Sequence, residues 1–273
     1  MKLYVSIVLF ASAISAADHP ASPFRDPNLD SLVRKYLGNV KPGEPLSEAN
    51  LEAATLVSEQ NTPVKDLTGL EQCKNLRYIY LQASPIADLT PLTHLTNLEA
   101  VTIRGGTIHD LSPLTGLSKL EFLDLSLDDI SDLKPLATLK SLKYLYLSNN
   151  KITDLTPLQS LVNLQYLHLD SNQVSDVSAL ANLKNLVSIN LRKNQISDLT
   201  ALGKLTHWHD LQLDQNRIGD LAPILAATQS DAKQTIAPVR TLSVIGNPLS
   251  AATRTGELPE LQKRIFDVLA DQN

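Results

Sequence analysis

The chain has 273 residues, with 24 lysines and arginines against 29 aspartates and glutamates, and a formal net charge of −5. A mildly acidic chain without a basic cluster argues against nucleic acid as a partner. The single cysteine, Cys73, excludes an intramolecular disulfide.

Residues 1–17 have the features of a secretory signal peptide. Lys2 precedes an apolar run from Leu3 to Ile14, and small residues follow it. The run is too short to span a membrane as a stable helix. We expect cleavage after Ala17, a secreted or periplasmic mature chain, and no membrane span once the signal is removed.

Residues 18–60 are expected to form a helical cap. Asp26 and Pro27 begin a helix, because proline suits the first helical position, and Gly38 ends it. A second short helix is expected from Ser47. The first helix carries one apolar stripe, made of Leu29, Leu32, Val33, Tyr36 and Leu37.

Residues 61–250 repeat with a period of 22. An aspartate recurs at this step, and apolar positions keep the same spacing. A fixed period of this length predicts a solenoid, in which stacked coils share one core. The aspartates are Asp66, Asp88, Asp110, Asp132, Asp154, Asp176, Asp198 and Asp220.

Within one unit, residues 166–170 alternate with the period of a strand. Leu167 and Leu169 are predicted to point into the coil, whereas Tyr166, His168 and Asp170 point outward. The leucine spacing on the other side of the unit suits a tight helical turn. Prolines early in that turn cost little, because the first N–H groups have no helical partner.

Two polar ladders follow the same step. The aspartates either bind cations or cap the convex turns by accepting their first N–H groups. Capping is favoured, because calcium needs several oxygens around one point and each unit supplies only one regular carboxylate. The second ladder is expected to satisfy backbone groups of the bend after each strand. It reads Asn150, Asn172, Asn194 and Asn216, but Thr62, Ser84, Gly106 and Asp128 in the earlier units.

The repeat slips once near the C-terminus. Leu211 and Leu213 find their next equivalents at Leu242 and Val244, which places an insertion within 228–240. The insertion is either a tolerated loop, which we favour, or a binding loop. Residues 251–273 are expected to form a C-terminal helical cap, with an amphipathic stretch of Leu261, Ile265, Phe266 and Leu269.

The pattern L-x-x-L-x-L-x-x-N-x-I-x-D-L resembles the 22-residue leucine-rich repeat of bacterial internalins, shared with the leucine-rich-repeat regulatory subunit of protein phosphatase 1. The resemblance covers roughly residues 55–250. It implies an α/β leucine-rich-repeat solenoid, a right-handed superhelix with a parallel sheet on the concave side and short 3-10 or helical turns on the convex side. It also suggests adhesion to a host or a neighbour.

The chain carries few residues arranged for chemistry. The usual hydrolase, phosphate-loop and metal-site motifs are missing. His207 and His209 flank Trp208, but no third metal ligand is evident. Cys73 occupies a leucine position and is expected to be buried. We therefore predict no enzymatic activity, no cofactor and no metal.

The outward strand positions are rich in aromatic residues. Their 21 positions hold six aromatics, whereas the rest of the mature chain holds four. Tyrosine favours strands for intrinsic reasons, but it is also enriched at binding interfaces. Recognition is the favoured interpretation, and the predicted partner-binding residues are Tyr78, Tyr80, Phe122, Asp124, Tyr144, Tyr146, Tyr166, His168 and Asp170.

Two classes of function follow from the sequence. The first is an exported binding module that recognises a protein, or a glycan, on its concave face. The second is a structural or inhibitory envelope protein without a discrete ligand. The contiguous Phe122, Tyr144 and Tyr166 column favours the binding module.

Overall fold

A computed structural model of the protein describes residues 22–38, 40–41, 43–59, 63–205, 207–230 and 241–271. The predicted signal peptide (1–17) and most of the predicted insertion (228–240) lie outside these residues.

The described chain is a solenoid built on one parallel sheet. Ten strands pair in sequence order, each with the strand of the preceding and the following coil. The predicted slip is confirmed, because Leu211 aligns with Leu242 across the insertion. The strands are β1 (Leu56–Glu59), β2 (Tyr78–Leu81), β3 (Ala100–Ile103), β4 (Phe122–Asp124), β5 (Tyr144–Tyr146), β6 (Tyr166–His168), β7 (Ser188–Asn190), β8 (Asp210–Gln212), β9 (Thr241–Ser243) and β10 (Asp267–Leu269).

Short 3-10 turns line the convex side. Each of the eight ladder aspartates accepts the backbone N–H two residues further on, at 2.7 to 2.9 Å, so the predicted capping role is confirmed. Hydrogen bonds from Thr156 and Thr200 hold the pKa of Asp154 and Asp198 below the usual range. The turns are Leu70–Gln72, Thr90–Leu92, Ser112–Leu114, Lys134–Thr138, Thr156–Ser160, Ser178–Asn182 and Leu202–Lys204.

The core is a stack of leucine and isoleucine layers. The inward residues of β2 to β9, such as Leu145, are fully buried, and so is Leu147 directly after β5. Val268 of β10 is only partly buried. Cys73 and Trp208 fill leucine positions in this stack and are also fully buried. Burial raises the pKa of the Cys73 thiol to about 12, which keeps it protonated and unreactive at neutral pH.

The asparagine ladder ties neighbouring coils together. Asn150 accepts the N–H of Ile130 at 2.9 Å through its Oδ1. Its Nδ2 donates to the carbonyl oxygens of Leu125 and Leu147, at 2.9 and 3.1 Å. Asn172, Asn194 and Asn216 repeat the two Nδ2 bonds. The expected role is confirmed: one buried amide satisfies backbone groups of two coils.

In the earlier coils, other residues stand at the asparagine position after the strand. Ser84 accepts the N–H of Val64 through its hydroxyl. At Gly106 a Cβ atom would lie 2.1 Å from the Ile86 carbonyl oxygen, so only glycine fits. Asp128 accepts the N–H of Ile108 at 2.9 Å, but its buried Oδ2 has no hydrogen-bond partner in the described structure.

Helix α1 (Pro27–Leu37) covers the N-terminal end of the core, as predicted. Asp26 caps it by accepting the N–H of Asn28, and its second oxygen accepts the N–H of Lys65 at 2.6 Å. This buried carboxylate therefore joins the cap to the first repeat.

The second predicted helix is also present, as α2 (Glu48–Ala53), with Ser47 as its capping residue. The expectation that residues up to 60 belong to a purely helical cap is wrong, because β1 lies within them. Its residues pair with β2, so the sheet begins one coil earlier than the 61–250 boundary.

The C-terminal cap is helical only in part. A helical segment spans 251–262 and includes a π-helical turn (Thr253–Glu257) and α4 (Leu258–Gln262), with Leu261 buried. The prediction of helix through Leu269 is wrong, because β10 pairs with β9 instead. Phe266 is 77% exposed and Leu269 is 42% exposed, so neither completes an apolar helix face.

Helix α3 (Ala222–Ser230) replaces a 3-10 turn in the last coil before the insertion. None of the helices in the described part of the chain is long and apolar enough to cross a membrane.

We predict that Leu147→Ala lowers the free energy of unfolding by about 2–5 kcal/mol, because stacked coils cannot collapse around the void. Tyr146→Ala should cost clearly less, since Tyr146 lies on the outward side of β5 and is only half-buried. Chemical denaturation of both variants measures the difference. Equal losses would contradict the strand register, since a slip of one residue exchanges the two faces.

A second prediction concerns Asp128, whose pKa is raised to about 6, mainly by burial. Because the folded state then binds the proton more tightly than the unfolded state, Asp128 weakens the fold as the pH rises from about 4 to 6. Asp128→Asn places an amide where five other coils have one, at Asn150, Asn172, Asn194, Asn216 and Asn247. It should therefore stabilise the protein at pH 7, by on the order of 2 kcal/mol.

The gain should shrink towards zero at pH 4, which urea titrations of both proteins at several pH values will show. Asp88→Asn, a change at an exposed convex aspartate where asparagine can still accept the capping N–H, is the control. A gain from Asp128→Asn that is the same at pH 4 and pH 7 would contradict the proposed titration.

Candidate functional site

The candidate site lies on the concave face, where β4, β5 and β6 place their outward side chains. The parallel register aligns Phe122 with Tyr144 and Tyr166, and aligns Asp124 with Tyr146 and His168. Strands about 4.8 Å apart bring the rings into contact. The sequence predicted this juxtaposition, and the structure brings five of the nine predicted residues into one aromatic cluster: Phe122, Tyr144, Tyr146, Tyr166 and His168.

The ring contacts within the aromatic cluster are continuous. The Tyr144 and Tyr166 rings stack, with centroids 4.9 Å apart, and Phe122 lies 5.8 Å from Tyr144 and 5.3 Å from Tyr146. The rings of Tyr146 and His168 meet edge to face at 4.6 Å. All five side chains are half-buried. They form one continuous surface in which each ring packs against the next and remains partly exposed to solvent.

Tyr78 and Tyr80 stand apart from the aromatic cluster. They lie on β2, and the small residues of β3, Ala100 and Thr102, separate them from β4. The hydroxyl of Tyr78 donates to Glu99 at 2.9 Å. Of the nine predicted residues, these two are therefore not brought together with the others.

The tyrosine hydroxyls fall into two groups. Those of Tyr78 and Tyr36 donate to Glu99 and to the Ser58 carbonyl. Those of Tyr144, Tyr146 and Tyr166 form no hydrogen bond with the described residues. Three polar tips on a half-exposed apolar surface are thus open to a partner.

Two aspartates border the aromatic cluster, as predicted. Asp124 accepts from the Ser126 hydroxyl at 2.6 Å and lies 3.6 Å from the Arg104 guanidinium. Asp170 accepts from the Ser148 hydroxyl and from Asn190 Nδ2. The neutral donors fix the positions of both carboxylates.

His168 is neutral at pH 7. Desolvation lowers its pKa below the usual range, although the charges of Asp170, Asp210 and Asp124 act in the opposite direction. Burial likewise raises the pKa of Tyr146. The aromatic cluster therefore carries no charge of its own at neutral pH.

One acidic residue beside the cluster was missed as a site residue. Asp210 stands in the same outward column as Tyr144 and Tyr166, separated from Tyr166 only by Ser188. The column spacing in the sequence places Asp210 there, but the predicted site extended only to the aromatic residues and the aspartates on their own strands.

The described residues offer no metal centre. No group of three or more histidine, cysteine, aspartate or glutamate side chains lies close enough together within them to hold an ion. His207 and His209 are exposed on either side of the buried Trp208.

The fold and the repeat place the protein among the leucine-rich-repeat proteins. Residues 24–150 match the leucine-rich-repeat domain of the endo-β-N-acetylglucosaminidase EndoS, and residues 140–182 match two copies of a leucine-rich repeat. No curated protein sequence matches the chain.

Solved structures define the class more closely. Internalin C2 of Listeria monocytogenes is 35% identical, with a TM-score of 0.71; the match covers 74% of this chain and 89% of internalin C2. Another internalin of that species, InlF, is 29% identical over 93% of this chain and 72% of its own length, with a TM-score of 0.81. The chain belongs to the internalin family.

A leucine-rich-repeat protein of Leptospira interrogans shares the fold alone. It is 19% identical over 82% of this chain and 62% of its own length, with a TM-score of 0.63.

Proposed function

We propose that the protein is an exported binding module that recognises a protein partner on its concave face. The aromatic cluster is the centre of the proposed site, Asp124 and Asp170 are its polar border, and Tyr78 and Tyr80 are an outlying part. The observation that carries the proposal is the unbroken series of ring contacts from Phe122 to His168. The proposal includes no catalytic step, cofactor or metal.

Sheet stability alone does not account for this arrangement. Neighbouring aromatics on a sheet contribute roughly 0.2–1 kcal/mol per pair, and that gain needs no open hydroxyl groups. Tyr36, a tyrosine of the N-terminal cap, has its hydroxyl bonded within the chain. Tyr144, Tyr146 and Tyr166 instead present broad, rigid apolar area with a polar tip, which is the usual composition of an interface core.

The alternative is a structural or inhibitory envelope protein without a discrete ligand. Such a protein has no need for a rigid, half-exposed apolar surface. The partner-binding proposal is favoured because contiguous aromatic rings with open polar tips are typical of protein interfaces.

We predict that Tyr144→Ala and Tyr166→Ala each weaken binding of the physiological partner by about 2 kcal/mol, or roughly 30-fold. The partner is captured from culture fluid and host or neighbouring cell surfaces with the purified protein, and its dissociation constant is then measured by calorimetry. The loss is expected because each change removes a stacked ring from the centre of the site.

Two controls accompany this measurement. Tyr36→Ala removes a tyrosine from the N-terminal cap, and Gln159→Ala changes an exposed residue on the convex side. If the two concave variants retain the affinity of these controls, the rings serve only the sheet and the proposed site is wrong.

Export is the second part of the proposal, and it rests on the charge, apolar run and small residues at 1–17. We predict that natively produced protein begins at Asp18 and is found outside the cytoplasm. Intact-mass measurement of each cell fraction is the test. Recovery of a cytosolic form that retains residues 1–17 would contradict export.

A further inference from the structure

Charge is distributed unevenly along the concave face. On β2 to β5, the outward columns of the described chain hold one arginine and one aspartate, Arg104 and Asp124, which pair with each other. On β6 to β10, and at the outward positions directly after these strands, there are five aspartates and one arginine, Arg192. These aspartates are Asp170, Asp210, Asp214, Asp267 and Asp271.

Two of these carboxylates lie beside the aromatic cluster without a cationic partner. Asp214 is paired with Arg192 at 2.9 Å. Asp170 has only neutral donors, the Ser148 hydroxyl and Asn190 Nδ2. Asp210 likewise has only the Ser188 hydroxyl and Gln212 Nε2, both at 3.1 Å. Within the described chain, no lysine or arginine nitrogen forms an ion pair with Asp170 or Asp210.

The strand register leaves a gap between the Tyr166 ring and the Asp210 carboxylate. Tyr166, Ser188 and Asp210 are consecutive members of one outward column. The Tyr166 ring and the Asp210 carboxylate are therefore about two strand spacings apart, or roughly 10 Å. Between them the small, buried Ser188 forms the floor. Asp170 lies on the same face, two residues beyond the end of β6, and is about 13 Å from Tyr166 along the strand direction.

The groups that face this gap do not neutralise it. His168 is neutral at pH 7, and Asn190 and Gln212 carry no charge. Arg192 is the next residue after Asp170 in the same outward column, but its guanidinium is paired with Asp214. A planar cation in the gap would stack against the Tyr166 ring and pair with the Asp210 carboxylate, combining a cation–π contact with charge-assisted hydrogen bonds. Arginine suits both contacts better than lysine, because its guanidinium is planar and weakly hydrated.

We propose that the partner is a protein segment that places an arginine over Ser188, between the Tyr166 ring and the Asp210 carboxylate, and an apolar side chain over the aromatic cluster, while Asp170 adds to the negative potential of the face. This inference rests on the proposed function, since it specifies the chemistry of a partner that binds the same face. Charge complementarity favours a basic segment over an acidic one or a neutral glycan.

A random peptide library displayed on phage, selected on the purified protein, tests the inference. Enriched peptides should combine arginine with an aromatic or aliphatic residue. Binding of the strongest synthetic peptide, followed by fluorescence anisotropy, should weaken at least about tenfold in the double variant Asp170→Asn/Asp210→Asn and should weaken with added salt.

A matched control separates this site from general charge attraction. Asp132→Asn/Asp176→Asn removes the same two charges from the convex side, where asparagine can still accept the capping N–H. This control should change the affinity by less than about twofold. A loss as large as that of the concave variant would overturn the inference.

The selection also distinguishes failure of the inference from failure of the proposed function. Enriched peptides that depend on Tyr144 and Tyr166 but lack a cation, or ignore the Asp170/Asp210 change, overturn the basic-segment inference and leave the proposed site standing. If binding of no enriched peptide depends on Tyr144 and Tyr166, both the proposed protein-binding site and the basic-segment inference are wrong. The same holds if only neutral oligosaccharides bind at these tyrosines.

Discussion

The structure depends on satisfying backbone groups inside a dry stack of coils. Each coil turns sharply after its strand, so carbonyl and N–H groups of the bend are removed from water, at a cost of about 1–3 kcal/mol for each group left without a partner. The buried asparagine amide resolves this by accepting from one coil and donating to two. Leucine layers supply most of the burial energy, and the amide, with Ser84 and Asp128 in the earlier coils, helps to hold neighbouring coils at one height. That fixed height gives the sheet its register, and the register brings the concave rings into contact.

Much of this architecture is readable from the repeat itself. The 22-residue step predicts the strand positions, the inward leucines and the capping aspartates, because each of these recurs identically in a periodic structure. It also locates the alignment of Leu211 with Leu242, since the apolar spacing resumes after the insertion. The aromatic cluster follows from the same columns: once strands are known to be parallel and in register, side chains 22 residues apart must be neighbours.

The ends of the solenoid were harder to predict, because periodic reasoning stops where the period stops. Residues 265–269 have a helical spacing of apolar residues, yet the open edge of β9 offers backbone hydrogen bonds that a helix cannot use, and β10 takes them. At β1, the strand lies ahead of the first regular aspartate. Asp128 shows a different limit: its position is plain in the sequence, but its unpartnered oxygen depends on which carbonyl groups surround it.

The neighbour-only contacts of the coils have an evolutionary consequence. Gain or loss of a whole 22-residue unit preserves every layer and every amide link, because each new coil presents the same two stacking surfaces. Such a change between β6 and β8 would move the Tyr166 ring relative to Asp210 by one strand spacing, about 4.8 Å, while leaving both side chains intact. The spacing of groups on the concave face can thus diverge through copy number, in discrete increments of length, before any of these residues mutates.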